Sequence, residues 1–527
     1  MIARFLAPCL GFALALPLAA ADKPKLVLAI IVDQFRYDYL LRFRGEYQGG
    51  LRRLLERGAV FTEAHFEHFP TVTAVGHSTF LSGATPSVSG IIGNDWFDRD
   101  TGRSVTSVED PQVGQLGGAG NRGASPRRLL VSTVGDELKI MTSGRARVIG
   151  ISLKDRSAIL PVGHMADGAF WVEADTGQFV SSTFYFPDLP AWVKEFNAAR
   201  PADRYLGAKW DLSPYGGQVR TFPAAADKKF YRSLAASPWG NELVEALAER
   251  AVEALNLGRG PATDLLALSF SSNDYVGHEH GPDSPEVHSI SVLTDRLLDK
   301  LFRILDARVG MDQVLVVFSA DHGVAPLPEV TAARRIPGGR MPPKVIQETV
   351  AARLTEKFGA GKWILSPSDH SLYLNRALIR EKGLSEPEVQ RVAAEAAAGV
   401  PHVARVYTRA RLASSTQMVD DVGRRVLNGY HDGRGPDIIM VLEPYWMYSP
   451  SGTTHGSPYG YDTHVPIIFA GPRIKPGTYR QRVAVNDIAP TLASLLETET
   501  PSGSSGRVLH EMIAEPVPAR LTGARGK

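Results

Sequence analysis

The stretch KLVLAIIVD, residues 25–33, decides the fold. Apolar, mostly branched residues run without a break from Leu26 to Val32, and the run stops on Asp33. There is no in–out alternation, so both faces of such a strand are covered, as in a parallel sheet layered between helices. Five further runs have the same character: RVIGISLKDR (147–156), TDLLALSFSSND (263–274), QVLVVFSADHG (313–323), PDIIMVLEP (436–444) and HVPIIFAG (464–471). Helical patterns lie between them, ELVEALAERAVEALN (242–256) and VHSISVLTDRLLDKLFRIL (287–305) among them. NDIAPTLASLLE (486–497) reads as a helix with Asp487 at its N-cap. Alternating buried strands and amphipathic helices predict an α/β fold, with a mostly parallel central sheet and helices on both faces.

The chain has 527 residues, 44% hydrophobic and 22% charged, enough for a large core. Net charge is +2 from 58 basic and 56 acidic residues, and no long basic run occurs. Charge therefore gives no case for a nucleic-acid partner. The opening MIARFLAPCLGFALALPLAA reads as a signal peptide cleaved near Ala21. A periplasmic or secreted protein follows, with no stable membrane span after cleavage: the apolar run is short of the roughly 20 residues a span requires. Cleavage removes Cys9, the one cysteine, and with it any thiol nucleophile or thiolate zinc site. Residues 22–527 are expected to form one catalytic domain. Irregular insertions at about 98–127, 165–236 and 330–435 are expected to form caps that roof the site.

Four of the buried runs end on polar residues: Asp33, Lys154, Asp274 and Asp321. Ligand sites in open α/β sheets lie beyond the carboxyl ends of the strands. Asp274 and His278 are four apart, so one helical face carries both. Asp321 and His322 follow a strand directly, and His455 lies in the loop GTTHGSPYGYDTHVP, ahead of His464. Imidazole with carboxylate is the donor mix that suits zinc. The ligands sort into two sets: Asp274, His278 and His455 for one ion; Asp33, Asp321, His322 and a threonine oxygen for the other. Two such Zn2+ ions could clamp the attacking and leaving oxygens of an in-line displacement.

FPTVTAVGHSTFLSG (69–83) passes from loop into helix near Thr71 and Thr73. A helix N-terminus suits a phosphoryl group, and a metal lowers the pKa of a threonine hydroxyl. Either threonine could instead cap the helix. Asn94, in GIIGNDWFD, can donate to a phosphate oxygen. Lys154 and Arg156, two apart in extended chain, would point the same way and hold the oxygens of a monoester dianion.

These segments resemble the alkaline phosphatase superfamily in its type I phosphodiesterase/nucleotide pyrophosphatase branch. The order Asp, Thr, Asn, Asp-x-x-x-His, Asp-His, His is the family order. The resemblance implies an alkaline-phosphatase-like fold. It selects Thr73 as nucleophile, assigns Asn94 to the phosphate, and implies two zinc ions and a phospho-threonine intermediate. SLKDR, SSNDYVGH and THGSPYGYDTHVP are similar to the PafA-type bacterial periplasmic alkaline phosphatases. There the matching Lys and Arg bind phosphate, which implies small-molecule phosphate monoesters as substrates. The alternatives are a phosphodiesterase or nucleotide pyrophosphatase on the same core, or a non-catalytic phosphate-ligand binding protein.

Overall fold

The ten strands of the central sheet are β1 (Leu26–Val32), β2 (Ala59–His65), β3 (Gln115–Leu116), β4 (Val148–Ser152), β5 (Gly168–Val172), β6 (Phe179–Ser182), β7 (Asp264–Phe270), β8 (Val314–Ser319), β9 (Ile467–Ala470) and β10 (Gly477–Ala484). The order across the sheet is β10-β2-β9-β8-β1-β7-β4-β5-β6-β3. This computed structural model describes residues 23–368, 370–414 and 418–514; the expected signal peptide lies outside them. Among the described residues no helix is long and apolar enough to cross a membrane.

The middle of the sheet is parallel. β1 pairs with β7 and β8, and β7 with β4. Every residue of β1, β4, β7 and β8 is buried, which is why these segments read as unbroken apolar runs. The register brings Val32 opposite Phe270, Ile31 opposite Ser319 and Ser269 opposite Ser152. The four strands thus end level, and the residues that follow them come out along one edge. Helices pack against the sheet in two groups. One holds Gly50–Arg57, Pro238–Ala254 and Pro285–Arg308; the other holds α1 (Thr73–Ser82), α2 (Asp155–Ile159) and Ile488–Leu496.

Several expectations are corrected. The 464–471 run supplies β9, but it lies antiparallel between β8 and β2. The 436–444 run is not in the central sheet at all. Its strand Ile438–Leu442 lies in a second sheet, ordered Ile364–Ser368, Ser371–Leu374, Ile438–Leu442, Val403–Thr408. Ile438, Met440 and Leu442 face one apolar cluster there, while Ile439 and Val441 face another. Cover on both faces produced a sequence indistinguishable from a central parallel strand. Residues 98–127 are not irregular throughout: Arg103–Thr106 pairs back on Asp95–Asp98, and β3 joins the sheet edge. Residues 165–236 supply β5 and β6 to the sheet. Asp487 stands at the N-cap of Ile488–Leu496 without capping it; its carboxylate accepts from the N–H groups of Ala484 and Arg507 instead.

The second sheet is tied to the hairpin by Asp437. Its carboxylate accepts from Arg99 at 2.6 Å, from Arg376 at 2.8 Å and from the Leu374 N–H at 2.7 Å. Between this sheet and the strand ends lies a cavity of about 440 Å³, with Asn94, His278 and His455 on one side and Phe97, His370 and Tyr373 on the other.

Candidate functional site

Asp33 follows β1 and Asp321 follows β8, and both are fully buried. Asp274 lies in the first turn of α3 (Ser272–His280), which opens two residues after β7 ends. His278 is one turn further on the same helix. His322 is adjacent to Asp321, and His455 enters from the loop before β9. Segments distant in the sequence meet at one edge because the level strand ends bring them there.

The three histidines share one arrangement. Nδ1–H of His278 donates to the Thr453 carbonyl at 2.8 Å, that of His322 to Gly323 at 2.9 Å, and that of His455 to Thr71 at 2.8 Å. A carbonyl can only accept, so each bond fixes Nδ1 as the protonated nitrogen and leaves Nε2 turned into the site, free to ligate once it carries no proton. Each Nε2 then faces a carboxylate: His278 and His455 lie 3.2 and 3.6 Å from Asp274 Oδ1, and His322 lies 3.2 Å from Asp321 Oδ2. Asp321 Oδ2 and His322 Nε2 are buried without a hydrogen-bond partner. Backbone-anchored imidazoles aimed at buried carboxylates are how metal ligands are oriented, so these donors fit a divalent cation.

By distance alone the donors gather as Asp274, His322, His455 and as Asp33, His77, Asp321. His77 is a residue the motif reading passed over. It is fully buried; its Nδ1 donates to the Thr73 carbonyl at 2.9 Å, and its Nε2 lies 3.0 Å from Ser269 Oγ and 3.5 Å from Asp33 Oδ1. The signal available was its spacing, four residues after Thr73 on one helical face.

Opposite charges shift one another in the site. Burial disfavours ionised Asp274, but Lys154 and His278 outweigh it and hold its carboxyl well below the usual range. Asp33 is also lowered, by Lys154 and His77 against burial. His322 is pushed up to about 9: burial opposes the proton, and Asp321 and Asp274 overcome it.

Thr73 is 2% exposed and begins α1, with extended Val72 at the N-cap. A Cβ on Gly76 would stand 2.1 Å from the Asp321 carbonyl oxygen, so glycine is what lets the first turn of α1 approach this strand end. The Ala74 N–H donates to Asn94 Oδ1 at 2.8 Å, so the Asn94 side chain, not a threonine, satisfies the helix end.

Lys154 and Arg156 do not lie on extended chain. Lys154 is the N-cap residue of α2 and Arg156 lies in its first turn, so the two-residue spacing carries no common direction. Lys154 Nζ donates to Asp33 Oδ2 at 3.0 Å and to Asp274 Oδ2 at 2.7 Å. Burial works against its charge, but the two carboxylates raise its pKa. Arg156 carries a buried Nε without a partner. His464, in the same loop as His455, is turned away: its Nε2 donates to the Thr62 carbonyl at 2.8 Å and its ring stacks on Tyr37.

Residues 27–462 match the family described as type I phosphodiesterase / nucleotide pyrophosphatase. A Myroides odoratus protein named calcium-transporting ATPase is 36% identical, over 94% of this chain and 95% of its own length. The alkaline phosphatase PafA of Elizabethkingia meningoseptica is 35% identical, over 94% and 95%. The crystal structure of wild-type PafA superimposes with a TM-score of 0.88, covering 94% of this chain and all of that one.

Proposed function

The chain belongs to the type I phosphodiesterase / nucleotide pyrophosphatase family, and from that premise we propose that it is an exported alkaline phosphatase, hydrolysing small-molecule phosphate monoesters through Thr73. The observation that carries this reading is the trio of histidines whose Nδ1 atoms are anchored on backbone carbonyls while their Nε2 atoms face buried carboxylates beside Thr73.

Asp274, His278 and His455 would hold one cation, and Asp33, Asp321, His322 and the Thr73 oxygen the other; zinc suits these donors. Separate homes for His322 and His455 are supported by their stacking. Their ring centroids are 3.4 Å apart with planes 16° from parallel, so their lone pairs lie in separate, near-parallel planes and do not converge on one point. Held by these residues, two divalent cations would supply a lowered pKa for the Thr73 hydroxyl and a counter-charge for the departing oxygen.

Thr73 attacks phosphorus in line, the alcohol leaves, and water then cleaves the phospho-threonine. Asn94 has its carbonyl oxygen engaged by the Ala74 N–H, which leaves its amide N–H groups for a phosphate oxygen. Lys154 links one carboxylate of each ligand set, and Arg156 has guanidinium donors to spare; together they match a dianionic phosphoryl group. A diester lacks the second charge, which favours monoesters over the diesters in the family name. The ATPase name of the Myroides relative fits the same chemistry, because the terminal phosphate of ATP is also a dianionic phosphoryl group.

Rates with an aryl phosphate monoester and an aryl phosphate diester, each with and without a chelator, test the reading. Faster monoester turnover that the chelator abolishes and zinc restores is expected. Dominant diester cleavage overturns the monoester assignment, and indifference to the chelator overturns the metal assignment.

A further inference from the structure

Gln34, the residue after Asp33, combines two unfavourable features. Its φ is +61°, in the left-handed region that non-glycine residues avoid. It is 2% exposed, and its side-chain Oε1 is buried without a hydrogen-bond partner. Strain of this kind persists only where the surroundings enforce it, and it concentrates at functional sites.

Two bonds account for the conformation. The Gln34 backbone N–H donates to Asp321 Oδ1 at 2.9 Å. Its side-chain Nε2 donates to Asp274 Oδ1 at 2.7 Å, with the Asp274 carbonyl oxygen at 3.4 Å. Both neighbours of Nε2 are acceptors, which fixes the amide nitrogen on that side. One residue therefore grips a carboxylate from each ligand set. Asp274 Oδ1 is also the oxygen that faces His278 and His455, so the amide occupies one lone pair and orients the other. Asp321 keeps Oδ2 toward His322. A neutral amide does this without adding a positive charge that would compete with a cation.

The room for it comes from α3. A Cβ at Gly277, one residue before His278, would stand 1.8 Å from Gln34 Oε1. We propose that Gln34 is a positioning residue that sets the spacing between the two ligand sets, holding Asp321 through its main chain and Asp274 through its side chain. The inference rests on the two-cation reading above.

Gln34→Gly removes the side-chain grip, keeps the main-chain donor and relieves the left-handed backbone. Zinc affinity, measured by competition with a chromophoric chelator, is expected to fall about 10- to 100-fold at one of two sites, the usual cost of losing such a support. The metal-stripped variant is expected to unfold at or above the wild-type temperature. In combination with Asp274→Asn the loss is not additive; with Asp321→Asn it is. Gly277→Ala, which leaves residue 34 unchanged, is expected to reproduce the weakening by displacing the amide. Zinc affinities within about threefold of wild type in both Gln34→Gly and Gly277→Ala overturn the proposal and leave the two-cation reading standing. Equal loss at both sites with a lower unfolding temperature also overturns it, since that is a structural role. Wild-type protein that binds fewer than two ions overturns both.

Discussion

Among the described residues, two regions bring histidine and carboxylate donors together, and one of them has the geometry that suits metal ligands. At the strand ends, His278, His322 and His455 each spend Nδ1 on a backbone carbonyl and aim Nε2 at a buried aspartate. The second cluster, Glu63, His65 and His464, also brings three donor atoms within 4.8 Å of one another. There, however, His65 and His464 stack at 4.6 Å with planes 19° apart, and they share a single, exposed carboxylate. Stacked rings do not converge on one ion. In the first cluster the stacked pair His322 and His455 has a separate aspartate for each ring. The surroundings differ in sign as well. His322 is pushed up to about 9 by Asp321 and Asp274 against its burial. His65 is pushed down to about 4 by burial, then by His464, Arg482 and Arg425. A cation is drawn to the first field and repelled by the second. Counting ligand types does not separate the clusters; what pins the far nitrogen, and the charge around the near one, does.

The largest expected effect is on chemistry. Thr73→Ala should cut monoester turnover on the order of a thousandfold or more while the protein still binds zinc; His65→Ala should change turnover less than about threefold. Comparable losses in the two variants would erase the contrast. Replacing Lys154 and Arg156 together by alanine should lower kcat/KM for an aryl monoester roughly a hundredfold more than for the diester. Chelation comes next. Ligands that bind only the folded state stabilise it by about 2.7 kcal/mol at a hundredfold excess over Kd. Stripping metal should therefore lower the unfolding temperature of wild type and of His464→Ala alike, and lower that of His278→Ala less. The smallest effect is with pH. The folded pKa of His65 lies below its ordinary 6.5, at about 4. The unfolded chain therefore takes up the proton first, and the stability this group contributes is present above about 6.5 and is lost as pH falls toward 4. His65→Gln should flatten acid unfolding over that window; an unchanged profile would remove the repelling field from the comparison.

How far these features could be read in advance depended on burial. β1, β4, β7 and β8 are covered on both faces, so their apolar runs and the polar residues that end them were legible. β2 and β10 were not: Glu63 and most of Gly477–Ala484 are exposed or half-exposed, and no periodicity marks them. The strand Ile438–Leu442 was legible as a strand but not as part of a second sheet, because two covered faces look the same in either sheet. Lys154 and Arg156 were legible as cations, but the turn into α2 on which they lie was not. His77 and Gln34 act through what they touch. Nothing in their local sequence shows that Ser269 lies beside one and Asp274 beside the other.

Lys154 has a consequence for how the molecule is assembled. Its ammonium bridges Asp33 and Asp274 inside a site where a lone buried carboxylate would be severely penalised. A built-in counter-charge means that the strand ends can close before any ion arrives. Folding and loading of the two proposed cations would then be separable events, and a shortage of metal would leave an intact, idle molecule in place of an unfolded one.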